Sequence, residues 1–207
     1  MGVEVGEDVA PRLYRLMGEL LKWNAKVNLT AITQPEEVLE KHFLDSLAVL
    51  PEVEGAGSVL DVGAGAGFPG LPLKMARPGL AVTLVDAVGK KVGYLKAVVA
   101  GPGLGLTGTK AVHARAGGQP EAEGLPRADR VLARAFMDLP DWLDLAPGYL
   151  APGGRVVAML GRALGEDELR AQADKRGLSL VSARAYRLPF SGAERQVASF
   201  AKWAAEP

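Results

Sequence analysis

Ser58-Val-Leu-Asp-Val-Gly-Ala-Gly-Ala-Gly-Phe-Pro-Gly70 is the stretch of sequence that decides the fold of this chain. A short apolar run reaches an acid, Asp61, and then breaks into glycines at Gly63, Gly65, Gly67 and Gly70. Glycine is needed where φ is positive or where a Cβ would collide with a bound group. The amides at the start of a following helix then offer hydrogen bonds to a ligand. The pattern predicts a strand, a tight loop and a helix, with a ligand against the loop backbone.

A second apolar run, residues 81–86, ends at Asp86, which comes 19 residues after Gly67. A carboxylate at that distance lies at the tip of the neighbouring strand, where it can accept hydrogen bonds from a ribose diol. The glycine loop and Asp86 together predict a cofactor that carries a nucleoside.

Strand-like and helix-like segments alternate from Ser58 onward. The predicted strands are 58–62, 81–86, 109–113, 129–133, 155–160, 178–186 and 195–203, and the predicted helices are 69–77, 88–100, 138–146 and 165–176. The last two strands are joined by residues 188–192 without a helix, which predicts an antiparallel hairpin. The sequence therefore predicts an α/β fold with a seven-stranded, mostly parallel sheet and a ligand at the carboxyl ends of its strands.

The first 57 residues are predicted to be a helical extension of the domain formed by residues 58–207. Apolar residues recur at helical spacing over residues 9–23. A second helix is predicted to begin at Thr33 as its cap, with Pro35 in its first turn, and to continue to Leu47.

Composition excludes several classes of function. The 207 residues contain no cysteine, so disulfides, Cys-ligated zinc and thiol nucleophiles are excluded. No apolar stretch approaches the roughly 18 residues of a membrane span, and the expected location is the cytoplasm, away from membranes. The 24 basic and 24 acidic residues balance, so a polyanionic partner would be met by a local patch.

The glycine loop also satisfies the G-x-G-x-x-G pattern of dinucleotide-binding proteins, over Gly65 to Gly70. Two features favour S-adenosylmethionine instead. Asp61 precedes three alternating glycines, and a cationic sulfonium ligand tolerates a nearby carboxylate. In addition, the seven strands use nearly all of the chain after residue 57, which leaves no room for the substrate domain of a dehydrogenase. A dinucleotide, or a glycine-rich turn without a ligand, remains an alternative at this point.

Several other stretches occur in a recognisable order, and the chain resembles the glucose-inhibited division protein B family from about Leu13 to Phe200. The motifs are Asn28-Leu-Thr30, Lys41-His-Phe-Leu-Asp-Ser46, Asp61-Val-Gly-Ala-Gly-Ala-Gly-Phe-Pro-Gly70, Lys90-Lys91 and Ala133-Arg-Ala-Phe136. The resemblance implies a class I, Rossmann-like methyltransferase that uses S-adenosylmethionine, releases S-adenosylhomocysteine and modifies guanine N7 in 16S rRNA of the small ribosomal subunit. No obligate protein partner is evident.

The resemblance places cofactor contacts at Gly63, Phe68, the Ala116-Gly117 turn and Arg134. With the glycine loop and the ribose acceptor, the candidate cofactor residues are Asp61, Gly63, Gly65, Gly67, Phe68, Asp86, Ala116, Gly117 and Arg134. Phe68 and Phe136 are candidates for stacking on the adenine or the guanine. The candidate RNA-binding residues are Asn28, His42, Lys90, Lys91, Arg162 and Arg195.

The chain departs from the family pattern at three positions. The family usually has Ala-Glu at Ala116-Gly117, a Lys-Gly pair at Leu160-Gly161, and a histidine at Gln196. These departures support a second hypothesis, a non-catalytic RNA- or ribosome-binding module that retains the methyltransferase fold. A small-molecule methyltransferase is a third reading, disfavoured by the N-terminal motifs.

The expected chemistry requires no proton-transfer residue. Guanine N7 carries a lone pair in the ring plane, so it attacks a methyl group without prior deprotonation, and alignment supplies most of the acceleration. The sequence therefore predicts no catalytic acid or base and no metal, and it assigns Arg134 a positioning role.

Overall fold

In a computed structural model that describes residues 4–203, the chain forms one seven-stranded sheet in the order β3-β2-β1-β4-β5-β7-β6. Strands β1 to β5 are parallel to one another, and β7 is antiparallel to both β5 and β6. The predicted sheet and its terminal hairpin are confirmed. The strands are β1 (Ser58–Val62), β2 (Ala81–Asp86), β3 (Thr109–His113), β4 (Ala128–Arg134), β5 (Leu150–Leu160), β6 (Leu178–Arg187) and β7 (Glu194–Lys202).

Helices cover both faces of the sheet. The helices are α1 (Val9–Val27), α2 (Pro35–Val38), α3 (Asp45–Leu47), α4 (Gly70–Ala76), α5 (Gly89–Ala100), α6 (Pro120–Glu123), α7 (Leu139–Leu145) and α8 (Glu166–Asp174). A π-helical stretch, Leu39–Leu44, joins α2 to α3, and 3-10 turns lie at Leu50–Val53 and Ala146–Tyr149. Alternation along β1 sends Val59 to the core under α4 and α5 and Leu60 to the core under α7 and α8.

The predicted helix at residues 33–47 differs in detail from the structure. It begins at Pro35, the preceding Gln34 makes no side-chain capping bond, and the predicted Thr33 cap is wrong. The π-helical stretch interrupts the helix before α3. A π-helical turn shifts the side chains relative to α-helical spacing, which aims His42 and Asp45 at the sheet.

Strand β5 begins at Leu150, five residues before the predicted start. The pairing of β4 with β5 shifts between Ala128 and Arg130, and Gly153 has a positive φ of 73°. The Pro-Gly-Gly sequence at 152–154 is typical of a turn, but here it forms an irregularity inside a strand. The short helix α6 is absent from the sequence prediction because its four residues show no periodicity.

The N-terminal segment, residues 9–53, packs into the same core as the sheet. Leu16 and Leu20 are completely buried in a cluster that includes Leu71 and Leu95. The ring of Trp23 meets the buried ring of Tyr94 edge-on at 5.8 Å. Helix α1 therefore packs on α4 and α5 and extends the core on that face of the sheet.

Within residues 4–203, no helix is long and apolar enough to cross a membrane.

Candidate functional site

The glycine loop leaves β1 and turns sharply into α4. Gly63, Gly65 and Gly67 all have positive φ, between 57° and 92°, a region that favours glycine. The loop is tied to β2 because the Ala64 amide donates to the Val85 carbonyl at 2.9 Å. A Cβ at Gly67 would lie 2.3 Å from Leu71 Cδ1, whereas a Cβ at Gly65 would meet only a carbonyl 3.8 Å away. Gly67 therefore allows the loop to pack on α4, whereas a side chain at Gly65 would meet little steric hindrance beyond the positive φ.

Asp61 lies beneath the loop rather than in the cavity. Its side chain is fully buried and its Oδ2 accepts a 2.8 Å hydrogen bond from the Gly70 amide. Its Oδ1 has no hydrogen-bond partner among the described residues. Burial raises the pKa of Asp61 to about 7, against the lowering effects of the Gly70 bond and of Arg134. The structure thus gives Asp61 a role in holding the start of α4 to β1 beneath the loop.

Asp86, at the end of β2, has both carboxylate oxygens turned towards the loop region. Its Oδ2 accepts from the Gly65 amide at 2.9 Å, and its Oδ1 accepts from the Val88 amide at 2.8 Å. Each carboxylate oxygen accepts about two hydrogen bonds, so both retain capacity for a hydroxyl. The carboxylate borders a cavity, as the sequence predicts for a ribose acceptor.

A cavity of about 480 Å³, which we call the cofactor cleft, lies at the carboxyl ends of β1, β2 and β4. This volume is within the range of small-molecule sites, about 300–1,000 Å³. Of the predicted cofactor residues, Gly63, Asp86 and Ala116 line it together. The other lining residues are Val62, Val85, Ala87, Val88, Lys91, Ala114, Arg115, Ala135, Phe136 and Met137.

Phe136 forms part of the cleft wall directly over the glycine loop. The residue is 39% exposed, and its ring meets that of Trp142 edge-on at 6.4 Å. A Cβ at Gly63 would lie 2.4 Å from Phe136 Cδ2, so only glycine admits the ring at this place. An exposed aromatic face beside Gly63 is suited to stacking on a nucleobase.

Phe68 does not present its ring to the cleft, contrary to the prediction that it stacks on a base. It is 2% exposed, and its ring lies parallel to that of His42 with the centroids 4.4 Å apart. The loop between β1 and α4 is short, and the apolar side chain of Phe68 turns into the core. Any contact from Phe68 to a ligand would come from its backbone.

The Ala116-Gly117 turn is held by groups from two other elements. The Gly117 amide donates to Glu123 Oε1 at 2.9 Å and to the Tyr149 hydroxyl at 3.0 Å. The Tyr149 hydroxyl donates in turn to Glu123 Oε2. Burial, with the Glu123 hydrogen bond, raises the pKa of Tyr149 to about 12. Gly117 is exposed and does not line the cleft, so the missing glutamate side chain at this position leaves the turn itself intact.

Arg134, at the end of β4, joins the sheet to the N-terminal segment. Its guanidinium donates to the Lys41 carbonyl at 2.7 Å and to His42 Nδ1 at 3.0 Å, and it reaches Asp45 Oδ2 at 3.5 Å. The guanidinium carbon lies 5.5 Å from the centre of the Phe68 ring. Burial lowers the pKa of Arg134, opposed by the charge of Asp45, but a guanidinium remains charged in proteins. Arg134 does not line the cofactor cleft, so the structure supports its positioning role better than a cofactor contact.

His42 is neutral, and its tautomer follows from its partners. An arginine only donates hydrogen bonds, so His42 Nδ1 must accept from Arg134 and Nε2 must carry the proton. That proton points to the Thr30 hydroxyl, 3.1 Å from Nε2. Burial and the charge of Arg134 lower the pKa of His42 to about 3. A buried, neutral histidine that is stacked on Phe68 positions Arg134 and does not offer a cation to RNA.

A second cavity, also about 480 Å³, lies next to the cofactor cleft and shares Ala135 with it. Its wall includes His42, Arg134 and Arg195, which the sequence nominates, and Asp45 and Tyr186, which the sequence does not. Asp45 comes three residues after His42 in the Lys41–Ser46 motif, and this spacing, which brings two side chains together on one face of a helix, is the sequence signal that points to Asp45. The remaining lining residues are Ile32, Lys41, Met159, Leu160 and Gly161.

The other RNA candidates are dispersed. Asn28 ends α1 in a left-handed conformation, with φ of 49°, and lines neither of these cavities. The turn after it is closed by Asn24, whose Oδ1 accepts from the Leu29 and Thr30 amides. Lys90 is exposed at the start of α5, and Lys91 lines the cofactor cleft.

Arg162 lies in a loop that is fastened to the end of the sheet. The loop borders a third cavity, which also shares Ala135. Gln196, at the family's histidine position, holds this loop: its Oε1 accepts from the Leu164 amide at 2.9 Å and its Nε2 donates to the Leu164 carbonyl at 3.1 Å. The departure at Gln196 therefore has a structural role of its own.

Comparisons with known proteins identify similar folds and close sequence relatives. Solved structures with similar folds include TrmN from Thermus thermophilus, with a TM-score of 0.56 and 25% identity over 76% of this chain and 48% of that one. The glycopeptide N-methyltransferase MtfA in complex with S-adenosylmethionine has a TM-score of 0.61 and 12% identity, over 79% of this chain and 88% of that one, which is a likeness of fold alone.

Sequence relatives are much closer. A protein of Myxococcus xanthus named ribosomal RNA small subunit methyltransferase G is 72% identical over 98% of this chain and 92% of its own length. A protein of the same name from Anaeromyxobacter dehalogenans is 49% identical over 96% of this chain and 91% of its own. The GidB family, described as rRNA small subunit methyltransferase G, matches residues 10–198. The chain belongs to this family.

Proposed function

We propose that the protein transfers a methyl group from S-adenosylmethionine to N7 of a guanine in 16S rRNA of the small ribosomal subunit. The observation that carries the proposal is the meeting of two cavities at Ala135, one lined by the glycine loop and Asp86, the other by charged side chains. Family membership supports the same reaction class. The alternative of a non-catalytic RNA-binding module is not favoured, since the cofactor cleft persists despite the departures at Gly117, Leu160 and Gln196.

The residues of the cofactor cleft suit an adenosine-bearing ligand. Asp86 has acceptor capacity for the ribose hydroxyls, and Gly63 brings its backbone to the cleft wall beside Phe136. Ala116 and Phe136 offer apolar surface to the adenine. When bound, the cofactor supplies an electrophilic methyl group on a cationic sulfur.

The chain's own contribution to the reaction is alignment. N7 needs no base, so alignment of the guanine with the methyl group and the sulfur supplies most of the acceleration. Arg134 lies at the point where β4 meets the second cavity and is held by three groups of the segment at residues 41–45. We assign Arg134 the role of holding in place the residues that form the cavity wall against which the target base lies.

RNA would reach this site with the target base out of its stack, because N7 must be presented in a pocket. Among the predicted RNA residues, Arg195 lines the second cavity, and Lys41 beside His42 lines it too. These cations provide the local patch that a chain of balanced charge requires. We place the protein in the cytoplasm with its ribosomal substrate, and we retain residues 1–57 as a helical extension of the domain at residues 58–207.

Calorimetry and transfer assays test the proposal. Titration of the pure protein with S-adenosylhomocysteine is expected to show one-site binding, which Asp86→Asn weakens by about tenfold or more through loss of a charged acceptor. The matched control is Asp144→Asn, at an exposed carboxylate that pairs with Arg176. Tritiated methyl transfer to 30S subunits and to naked 16S rRNA should be robust for at least one of them. Absence of cofactor binding, or of transfer to both RNAs, would overturn the proposal.

A further inference from the structure

Asp45 is a charged residue of the second cavity that the methyl-transfer chemistry does not use. It is 4% exposed, at the start of α3, and its carboxylate borders the cavity. A buried carboxylate is costly unless it is paired or hydrogen-bonded. Asp45 meets this condition with Tyr186 and Arg134, and it does so in the wall of the cavity next to the cofactor cleft.

The partners of Asp45 account for part of its hydrogen-bonding capacity. The Tyr186 hydroxyl donates to Oδ1 at 2.8 Å, and Arg134 reaches Oδ2 at 3.5 Å. Arg195 Nε stands 3.8 Å from Oδ1, too far for a good hydrogen bond. Because a carboxylate has about four acceptor sites, at least one site on each oxygen stays available. Two guanidinium groups lie beside the carboxylate, and the Tyr186 hydrogen bond keeps it oriented.

The free acceptors match one edge of one base. Guanine presents two adjacent donors, N1–H and the N2 amino group, on the edge away from N7, whereas adenine has a lone pair at N1 and no 2-amino group. A carboxylate accepts both guanine donors at once and repels the adenine lone pair. Holding this edge leaves N7 on the other side of the base, free to face the shared boundary at Ala135.

We infer that Asp45 recognises the target guanine, with its two carboxylate oxygens accepting the N1–H and N2–H donors of a base inserted into the second cavity. The inference rests on the proposed methyl transfer to guanine and adds how the base is selected. The apolar side chains of Ile32, Met159 and Leu160 in the same wall provide surface for the faces of the ring. Leu160, where relatives usually have lysine, suits a base contact better than a phosphate contact.

The test pairs a protein change with a base change. Asp45→Asn keeps the shape of the side chain but replaces one acceptor oxygen by a donor. Inosine keeps N7 and N1–H but lacks the 2-amino group. Transfer is measured as kcat/KM on 16S rRNA fragments that are assembled by splinted ligation and carry guanosine or inosine at the methylated position, with binding of S-adenosylhomocysteine measured in parallel.

The wild-type protein is expected to methylate the inosine RNA about 10- to 100-fold less efficiently than the guanosine RNA, the effect of one lost hydrogen bond to a charged group. Asp45→Asn should lower kcat/KM on the guanosine RNA by a similar factor. The variant should then methylate the guanosine and inosine RNAs with nearly equal efficiency, because the acceptor for the 2-amino group has already been removed. Affinity for S-adenosylhomocysteine should stay unchanged. The control Asp144→Asn should keep the full discrimination of the wild type.

The inference fails if the wild type does not distinguish inosine from guanosine, or if Asp45→Asn retains the full wild-type discrimination while losing activity on both RNAs equally. The second result would assign Asp45 a structural role in holding Arg134 and Tyr186. Failure of the proposed function is distinguishable, because it would appear as absent transfer by the wild type on the guanosine RNA.

Discussion

At the scale of single residues, the most informative group is the stack of Arg134, His42 and Phe68. A guanidinium at the end of a strand donates to Nδ1 of a buried, neutral histidine, whose ring lies flat on a buried aromatic ring. Each member fixes the next, so the geometry of Arg134 is preorganised before a substrate binds. The positive charge of the site is therefore carried by Arg134, and it is supported by His42, which stays neutral near pH 7.

Arg134→Lys should separate positioning from cofactor binding. Lysine keeps the charge but loses the planar fork that bonds Lys41 and His42 together, so kcat/KM for RNA should fall about 10- to 100-fold. Affinity for S-adenosylhomocysteine, measured by calorimetry, should change little, because Arg134 does not line the cofactor cleft. Arg176→Lys, at the surface pair with Asp144, is the control. A loss of cofactor affinity equal to the loss of transfer would instead place Arg134 on the cofactor.

His42 should make the protein less stable in acid. Its pKa is lowered from 6.5 to about 3 in the folded protein, so between these values the unfolded chain binds more protons at this residue than the folded one. The free energy of unfolding therefore falls as the pH decreases through this window. Urea titrations of the wild type and His42→Gln, from pH 7 to pH 3, should show the variant with the flatter profile. Parallel profiles would contradict the buried, neutral assignment.

Asp61 should act in the opposite direction. Its pKa is raised from 3.8 to about 7, so in this window the folded protein binds more protons at Asp61 than the unfolded chain does. The stability that this group contributes is present at low pH and is lost as the pH rises through the window. The free energy of unfolding of Asp61→Asn, relative to that of the wild type, should thus increase from pH 4 to pH 7 in urea titrations. A relative stability that stays constant over this range would show that Asp61 is ionised throughout.

At the scale of elements, the glycine loop is constrained twice, by its backbone and by its packing. Gly67 has φ of 92°, and a Cβ there would lie within 2.3 Å of Leu71. Gly67→Ala should therefore lower the free energy of unfolding by about 1–3 kcal/mol from crowding, with backbone strain of a similar size in addition. Gly79→Ala, where a Cβ has open space, should be close to neutral. Equal stability of the two variants in urea denaturation would contradict this account of the loop.

The sequence predicts most of these elements because each carries a local signal. Apolar runs that end in Asp61 and Asp86, and the glycines between them, define the strands and the loop, and the structure keeps them within a residue or two. The features that the sequence does not predict depend on tertiary contacts. The π-helical stretch, the start of β5 at Leu150 and the burial of Phe68 follow from packing against other elements. Asp45 and Tyr186 meet from 141 positions apart, which no local pattern reveals.

At the scale of the whole molecule, the N-terminal segment is part of the core. Leu16, Leu20 and Phe43 are buried against the sheet and its helices, and Arg134 is anchored to the same segment. A fragment that begins at residue 58 would expose these apolar contacts and lose one wall of the second cavity. It should lack a cooperative thermal transition by circular dichroism, whereas the full chain should show one. A fragment that melts cooperatively and binds S-adenosylhomocysteine would show that residues 1–57 are dispensable for the fold.

The central claim is that this geometry methylates one guanine at N7 in 16S rRNA, and the most direct measurement is the position of the product. RNA treated with the protein and S-adenosylmethionine is reduced with borohydride and cleaved with aniline, which breaks the chain at N7-methylguanosine. We predict cleavage at a single guanosine of 16S rRNA, dependent on the cofactor and strongly reduced for Arg134→Lys. Methyl incorporation without any such cleavage, or cleavage at many guanosines, would contradict the account.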